Sequence, residues 1–127
     1  MKVKDVQYRA SDGTKLIGSL YDSETETNSF SVVGFTGFSC KGGDYAVLGH
    51  QFANHGVPAI IWEWPGHGRS GGIFDPPMTR KYALEVAKAV KKRTGKPIVL
   101  VGHSLGAYGV IGAIGQDEER VADAGVG

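Results

Sequence analysis

The pentapeptide Gly102-His103-Ser104-Leu105-Gly106 constrains this chain more than any other stretch, because of what flanks it. Before it, Pro97 to Val101 is apolar and β-branched, with the length of a buried strand; after it, Leu105 to about Gly115 is compatible with a helix. A strand that turns sharply into a helix holds the residue at its tip in a strained backbone conformation. The residues two places to either side must then lack side chains to avoid collision, and Gly102 and Gly106 meet that need. The G-x-S-x-G pattern therefore predicts a turn that lifts the Ser104 hydroxyl clear of a sheet, at a helix N-terminus where the backbone dipole favours negative charge on a reacting oxygen. His103 is expected to point away from the substrate side.

The rest of the chain supplies the sheet. Val3, Val6 and Tyr8, then Leu16 to Tyr21, are strand-like, and Ser11-Asp12-Gly13-Thr14 between them predicts an antiparallel hairpin. The polar run Asp22 to Ser29 is expected to be a surface loop. Ser31 to Phe35 and Pro58 to Trp62 are short apolar strands, and Tyr45 to His55 carries Val47, Leu48 and Phe52 at helical spacing before Gly56. A glycine-rich loop from Gly66 to Gly72 leads through Pro76-Pro77 to a helix near Thr79 to Thr94, with Tyr82, Val86 and Val90 on one face and Gly95 closing it. Val121 to Val126 begins one more strand. Alternating strands and helices with short links predict a mostly parallel sheet with right-handed crossovers.

Composition narrows the classes. Fourteen Lys and Arg against 13 Asp and Glu give a net charge of +1, too even for a protein that holds nucleic acid through its phosphates. No apolar run approaches the roughly 20 residues of a membrane span, and Met1 to Asp5 lacks the apolar core of a signal peptide. With a single cysteine, Cys40, the chain cannot staple itself, and a cytoplasmic location is expected. The 20 glycines, against about 7% of residues in an average chain, ask for a backbone reason that the turns above largely provide.

Three blocks, in this order, carry a family resemblance: Gly34-Phe35-Thr36-Gly37-Phe38, then Trp64-Pro65-Gly66-His67-Gly68-Arg69-Ser70-Gly71, then Gly102 to Gly106. Together they resemble the N-terminal portion of an α/β-hydrolase, most similar to the monoacylglycerol lipase, lysophospholipase and serine aminopeptidase-like branch. The resemblance implies an N-terminal hairpin followed by a doubly wound, mostly parallel sheet, one domain over 1–127 truncated in the sixth strand. It implies acyl transfer to water through an acyl-serine on Ser104, with backbone N–H groups of Leu105 and Phe38 stabilising the oxyanion and Gly37 allowing the close approach. Thr36 stands where the family usually has histidine; its hydroxyl is expected to brace the loop through a backbone hydrogen bond. The family's acid and histidine follow the serine on later loops. No histidine follows Ser104 here, and Asp117, Glu118, Glu119 and Asp123 are expected at the opposite end of the sheet, so the triad acid and base are expected to be missing and the chain alone inactive. The sixth strand is then an exposed edge through which the chain would self-associate.

Competing signals are weaker. His67 could stand in as the base with Glu63 to orient it, although bracing of its own loop is the simpler role. Gly66-x-Gly68-x-x-Gly71 matches a dinucleotide fingerprint, but Gly72 and Pro76-Pro77 forbid a helix opening at its third glycine. His50 and His55 fall on different faces of their helix, and no metal-ligand pattern accompanies them, so neither a metal nor a cofactor is expected. Cys40 is read as an inert small residue, Trp62 as core, and Trp64 and Phe74 as candidate walls of an acyl pocket. A small-molecule acyl substrate is the expected partner. The alternative is a non-catalytic half-domain that binds a small molecule or a protein; a dehalogenase is disfavoured because Ser104 stands where that group carries aspartate.

Overall fold

The computed structural model describes residues 3–23, 30–37, 42–116 and 122–126. The chain opens with β1 (Val3–Arg9) and β2 (Lys15–Tyr21), the antiparallel hairpin that the turn residues predict. Then come β3 (Ser31–Phe35), α1 (Ala46–Asn54), β4 (Ala59–Trp62), α2 (Thr79–Thr94), β5 (Ile98–Gly102), α3 (Leu105–Gly115) and β6 (Ala122–Val126). These bounds match the expected elements to within two residues. Short 3-10 turns at Gly42–Tyr45 and Pro76–Met78 lead into α1 and α2.

The six strands form one sheet in the order β1-β2-β4-β3-β5-β6. Antiparallel pairing joins β1 to β2 and β2 to β4; the remaining pairs are parallel. All five residues of β3, Ser31 to Phe35, are buried, as expected for a central strand covered on both faces. On one face α2 and α3 bury Val33, Phe35, Trp62, Ile98 and Leu100; on the other, α1 and the segment after it cover Val32, Ala59 and Ile61.

Helix α2 shows how the sequence sets this packing. Tyr82, Ala83, Val86, Ala87 and Val90 recur at helical spacing and are all buried. Removing one such valine side chain from water contributes about 1.5–3 kcal/mol. The Thr79 hydroxyl donates to the Pro76 carbonyl at 2.9 Å at the start, and Gly95 adopts a left-handed conformation at the end. Polar contacts fasten the hairpin turn to the same helix. The Ser11 N–H and hydroxyl donate to the Glu85 carboxylate at 2.8 and 3.1 Å, and the Tyr82 hydroxyl donates to Asp12, whose other oxygen accepts the Thr14 N–H at 2.9 Å.

Candidate functional site

Strand β5 runs between β3 and β6, and the chain turns at its C-terminal end. Ser104 sits at the tip with φ 57° and ψ −115°, the one non-glycine residue among those described with a positive φ. That conformation costs of order 1–3 kcal/mol and persists where the surroundings over-determine it. The surroundings here are backbone. A Cβ on Gly102 would run into the backbone of Gly106 and Ala107, and a Cβ on Gly106 would run into the carbonyls of Phe35 and Thr36. The Gly106 N–H closes the turn on the His103 carbonyl at 2.9 Å, and the Tyr108 N–H begins α3 on the Ser104 carbonyl at 3.2 Å. Ser104 and His103 are both exposed.

The loop after β3 lies against this turn. The Gly37 N–H donates to the Tyr45 hydroxyl at 2.8 Å, and the same hydroxyl lies 3.3 Å from Nδ1 of His103. Tyr45 thus joins the β3 loop to the serine turn. No sequence signal marks it, because its partners are 8 and 58 residues away. Phe38 lies outside the described residues, as does Cys40.

Thr36 departs from its expected role. Its hydroxyl is buried and has no hydrogen-bond partner among the described residues. The main chain braces the loop instead: the Thr36 carbonyl accepts the Trp64 indole N–H at 2.7 Å, and the Thr36 N–H donates to the Trp62 carbonyl at 3.3 Å. Trp64 is therefore not an open pocket wall. It is 1% exposed, stacked on Phe35 at 4.5 Å, with its ring edge against Gly109 of α3. Trp62 is core, as expected, and Phe74 is half-buried against the His67 ring at 4.8 Å.

The loop carrying His67 is held by its own side chains. His67 is buried, with Nδ1 3.2 Å from the Pro65 carbonyl. Glu63 is 2% exposed and ion-pairs with Arg69, whose guanidinium also reaches Asp5. The Asp5 hydrogen bond, with Glu63 behind it, pushes the Arg69 guanidinium above its usual range. The Ser70 hydroxyl donates to the Glu63 carbonyl at 2.7 Å and accepts the Ile17 N–H at 2.9 Å. Gly68, at φ 51°, leaves no room for a side chain, since a Cβ would run into the Glu63 carboxylate. These contacts give His67 and Glu63 bracing work.

His50 packs edge-on against Tyr21 at 5.1 Å, whereas Nδ1 of His55 lies 2.8 Å from the Gln51 carbonyl. Among the described residues no group of three or more His, Cys, Asp or Glu side chains could hold a metal ion, and no helix is long and apolar enough to cross a membrane.

A hairpin leading into a mostly parallel sheet, with a strained serine at the strand-to-helix turn after β5, is the N-terminal architecture of the α/β-hydrolase class. Within that class the chain belongs to the family described as serine aminopeptidase, S33, whose model matches residues 27–126. Similar solved structures include the α/β hydrolase GrgF from Penicillium sp. sh18, with a TM-score of 0.84 at 19% identity, covering 98% of this chain and 45% of that one. The Cif epoxide hydrolase from Acinetobacter nosocomialis gives 0.73 at 20% identity, covering 97% and 36%. The Pyrococcus furiosus esterase Pf2001 gives 0.71 at 20% identity, covering 98% and 50%. At these identities the likeness is one of fold, and the chain spans half or less of each of these proteins. No curated protein matches the chain.

Proposed function

We propose that Ser104 is the nucleophile of a serine hydrolase acting on carboxylic esters or related acyl compounds. The observation that carries this reading is the backbone of Ser104, held at φ 57° between two glycines that admit no side chain, with its residue exposed. In the proposed reaction the Ser104 oxygen bonds to the acyl carbon as its proton passes to a base. The carbonyl becomes an oxyanion, and the alcohol leaves with a proton. Water then cleaves the acyl-serine by the same steps and regenerates the hydroxyl. The N–H groups of Leu105 and Phe38 are the proposed oxyanion donors, aided by the N-terminal dipole of α3. Gly102, Gly106 and Gly37 act through the space they leave, and His103 through its contact with Tyr45.

No histidine follows Ser104 in the sequence, so the proton acceptor is proposed to come from residues outside the chain. The chain by itself is then expected to hydrolyse p-nitrophenyl acetate no faster than its Ser104→Ala variant. The nucleophile is tested by treating the protein, as its native gene produces it, with a fluorophosphonate and mapping the tryptic peptide Thr94–Arg120. A phosphonyl group on Ser104 supports the reading; ester turnover with Ser104 unmodified overturns it.

A further inference from the structure

The two groups proposed to hold the oxyanion stand on separate elements. The Leu105 N–H opens α3, whereas Phe38 follows β3 in the chain. For both to reach one oxygen, their separation has to be held to within about 0.5 Å. Main-chain contacts carry that task only part of the way. The Thr36 carbonyl accepts the Trp64 indole N–H at 2.7 Å, the Thr36 N–H donates to the Trp62 carbonyl at 3.3 Å, and the Phe35 and Thr36 carbonyls fill the space at Gly106. Gly37 comes next, and without a side chain its own dihedral angles are the freest in the loop. Its buried N–H donates to the Tyr45 hydroxyl at 2.8 Å.

Tyr45 suits this work because of what seats its ring and what else its oxygen touches. It ends the 3-10 turn Gly42–Tyr45, immediately before α1, and packs half-buried against the cluster of Tyr21, Ala53 and Ile61. Helix α1 sits close on the sheet, since a Cβ on Gly49 would run into the Tyr21 ring. The same hydroxyl lies 3.3 Å from Nδ1 of His103, with the ring centroids 6.2 Å apart. A phenol has one proton to donate and can also accept. Its oxygen takes the Gly37 N–H, so its own proton is available to Nδ1 of a neutral His103 whose ring hydrogen is on Nε2. One hydroxyl therefore touches the residue before each working group: Gly37 before Phe38, and His103 before Ser104.

We infer that Tyr45 is a positioning residue, whose hydroxyl fixes the Gly37 peptide against the Ser104 turn and thereby sets the separation of the two oxyanion donors. The catalytic consequence rests on the hydrolase reading; the link itself does not. Both N–H groups are drawn on fully only as the carbonyl oxygen becomes an oxyanion, so losing the hydroxyl lowers kcat and leaves KM in place. A residue acting through stability alone would lower the folded fraction and leave the kcat of the folded enzyme unchanged.

Tyr45→Phe keeps the ring in its cluster and removes only the hydroxyl. In amide exchange of the 127-residue chain followed by proton–nitrogen spectra, Gly37 is expected to exchange about tenfold faster in this variant. Gly106, whose N–H donates to the His103 carbonyl at 2.9 Å, is expected to keep its rate. In the protein as its native gene produces it, Tyr45→Phe is expected to lower kcat for p-nitrophenyl acetate about 10- to 100-fold, with KM within about twofold and thermal unfolding checked alongside. Adding His103→Ala to Tyr45→Phe is expected to slow turnover no further, because both changes break one hydrogen-bond chain. Unchanged exchange at Gly37 overturns the link, whether or not Ser104 proves to be the nucleophile. An unchanged kcat, an effect on KM alone, or independent losses from the two substitutions overturns the positioning role. A wild type without ester turnover overturns the hydrolase reading and the kcat effect with it, and the Gly37 exchange rate then decides the link by itself.

Discussion

The Arg69 guanidinium meets the Glu63 carboxylate at 3.0 Å, pairing a buried charge in the loop that follows β4 and packs against the hairpin. Glu63 is 2% exposed while Arg69 is about half-exposed and also reaches Asp5 and the Ser19 hydroxyl. Arg69→Met removes this ion pair from the buried Glu63 and is expected to cost about 2–3 kcal/mol, reduced from the fully buried case by the exposure of the arginine. Urea denaturation checks this. The double variant Glu63→Gln with Arg69→Met is expected to cost less than the sum of the single changes, and strict additivity would refute the coupling.

The two glycines of the serine turn differ from others in the same segment. Gly106→Ala forces a methyl group into the Phe35 carbonyl, which is backbone and cannot step aside, so a loss of more than about 3 kcal/mol or failure to fold is expected. Gly115→Ala, at the end of α3 with nothing near its Cβ, is expected to be neutral or stabilising by up to about 1 kcal/mol. Thermal unfolding of the pair distinguishes a tight turn from a general sensitivity of α3.

Strain at Ser104 is measurable by itself. Ser104→Gly relieves the positive φ whereas Ser104→Ala keeps it, so the glycine variant is expected to be the more stable of the two by about 1 kcal/mol in chemical denaturation. Equal stabilities would show an unstrained turn. Both variants are expected to lose fluorophosphonate labelling.

The hairpin turn gives a pH signature. The Tyr82 hydroxyl and the Thr14 N–H, both donating to Asp12, hold its carboxyl down at about 2 against an ordinary 3.8. The native state then binds this proton less readily than the unfolded chain, so the contribution is complete above about pH 4 and is lost as pH falls toward about 2. On the alkaline side burial, then the Asp12 hydrogen bond, raises the Tyr82 hydroxyl above 10, so its share persists below that value and is lost as pH rises through the raised one. Urea midpoints of wild type and Asp12→Asn are expected to converge between about pH 4 and pH 2; a constant gap there would count against the pairing.

At the far edge of the sheet β6 pairs with β5 alone among the described strands, and Val126 on it is 58% exposed, while Ile111 and Tyr108 on α3 are 66% and 54% exposed. An open edge beside apolar surface favours association. Sedimentation velocity is expected to show concentration-dependent oligomers of this chain, shifted toward monomer in the Ile111→Lys, Val126→Lys double variant. A monodisperse wild-type monomer would remove the expectation.

Much of the fold was legible because burial leaves a period in the sequence. The apolar spacing of Tyr82, Val86 and Val90 predicted α2, the apolar run in Ser31 to Phe35 predicted a short strand, and Gly102 and Gly106 predicted the serine turn from the space they leave. Periodicity reports which way a side chain faces but not what it meets. Trp64 read equally well as a pocket wall until its N–H was placed on the Thr36 carbonyl 28 residues away.

The sequence by itself determined the strand and helix alternation, the position of Ser104 at a turn, and the family to which these belong. Only the tertiary structure decided that Arg69 would serve Glu63 and Asp5 and that Tyr45 would join Gly37 to His103. Each of these depends on strand order, with β2 placed beside β4 and β3 beside β5. That order brings together residues tens of positions apart, whose pairing no local pattern encodes.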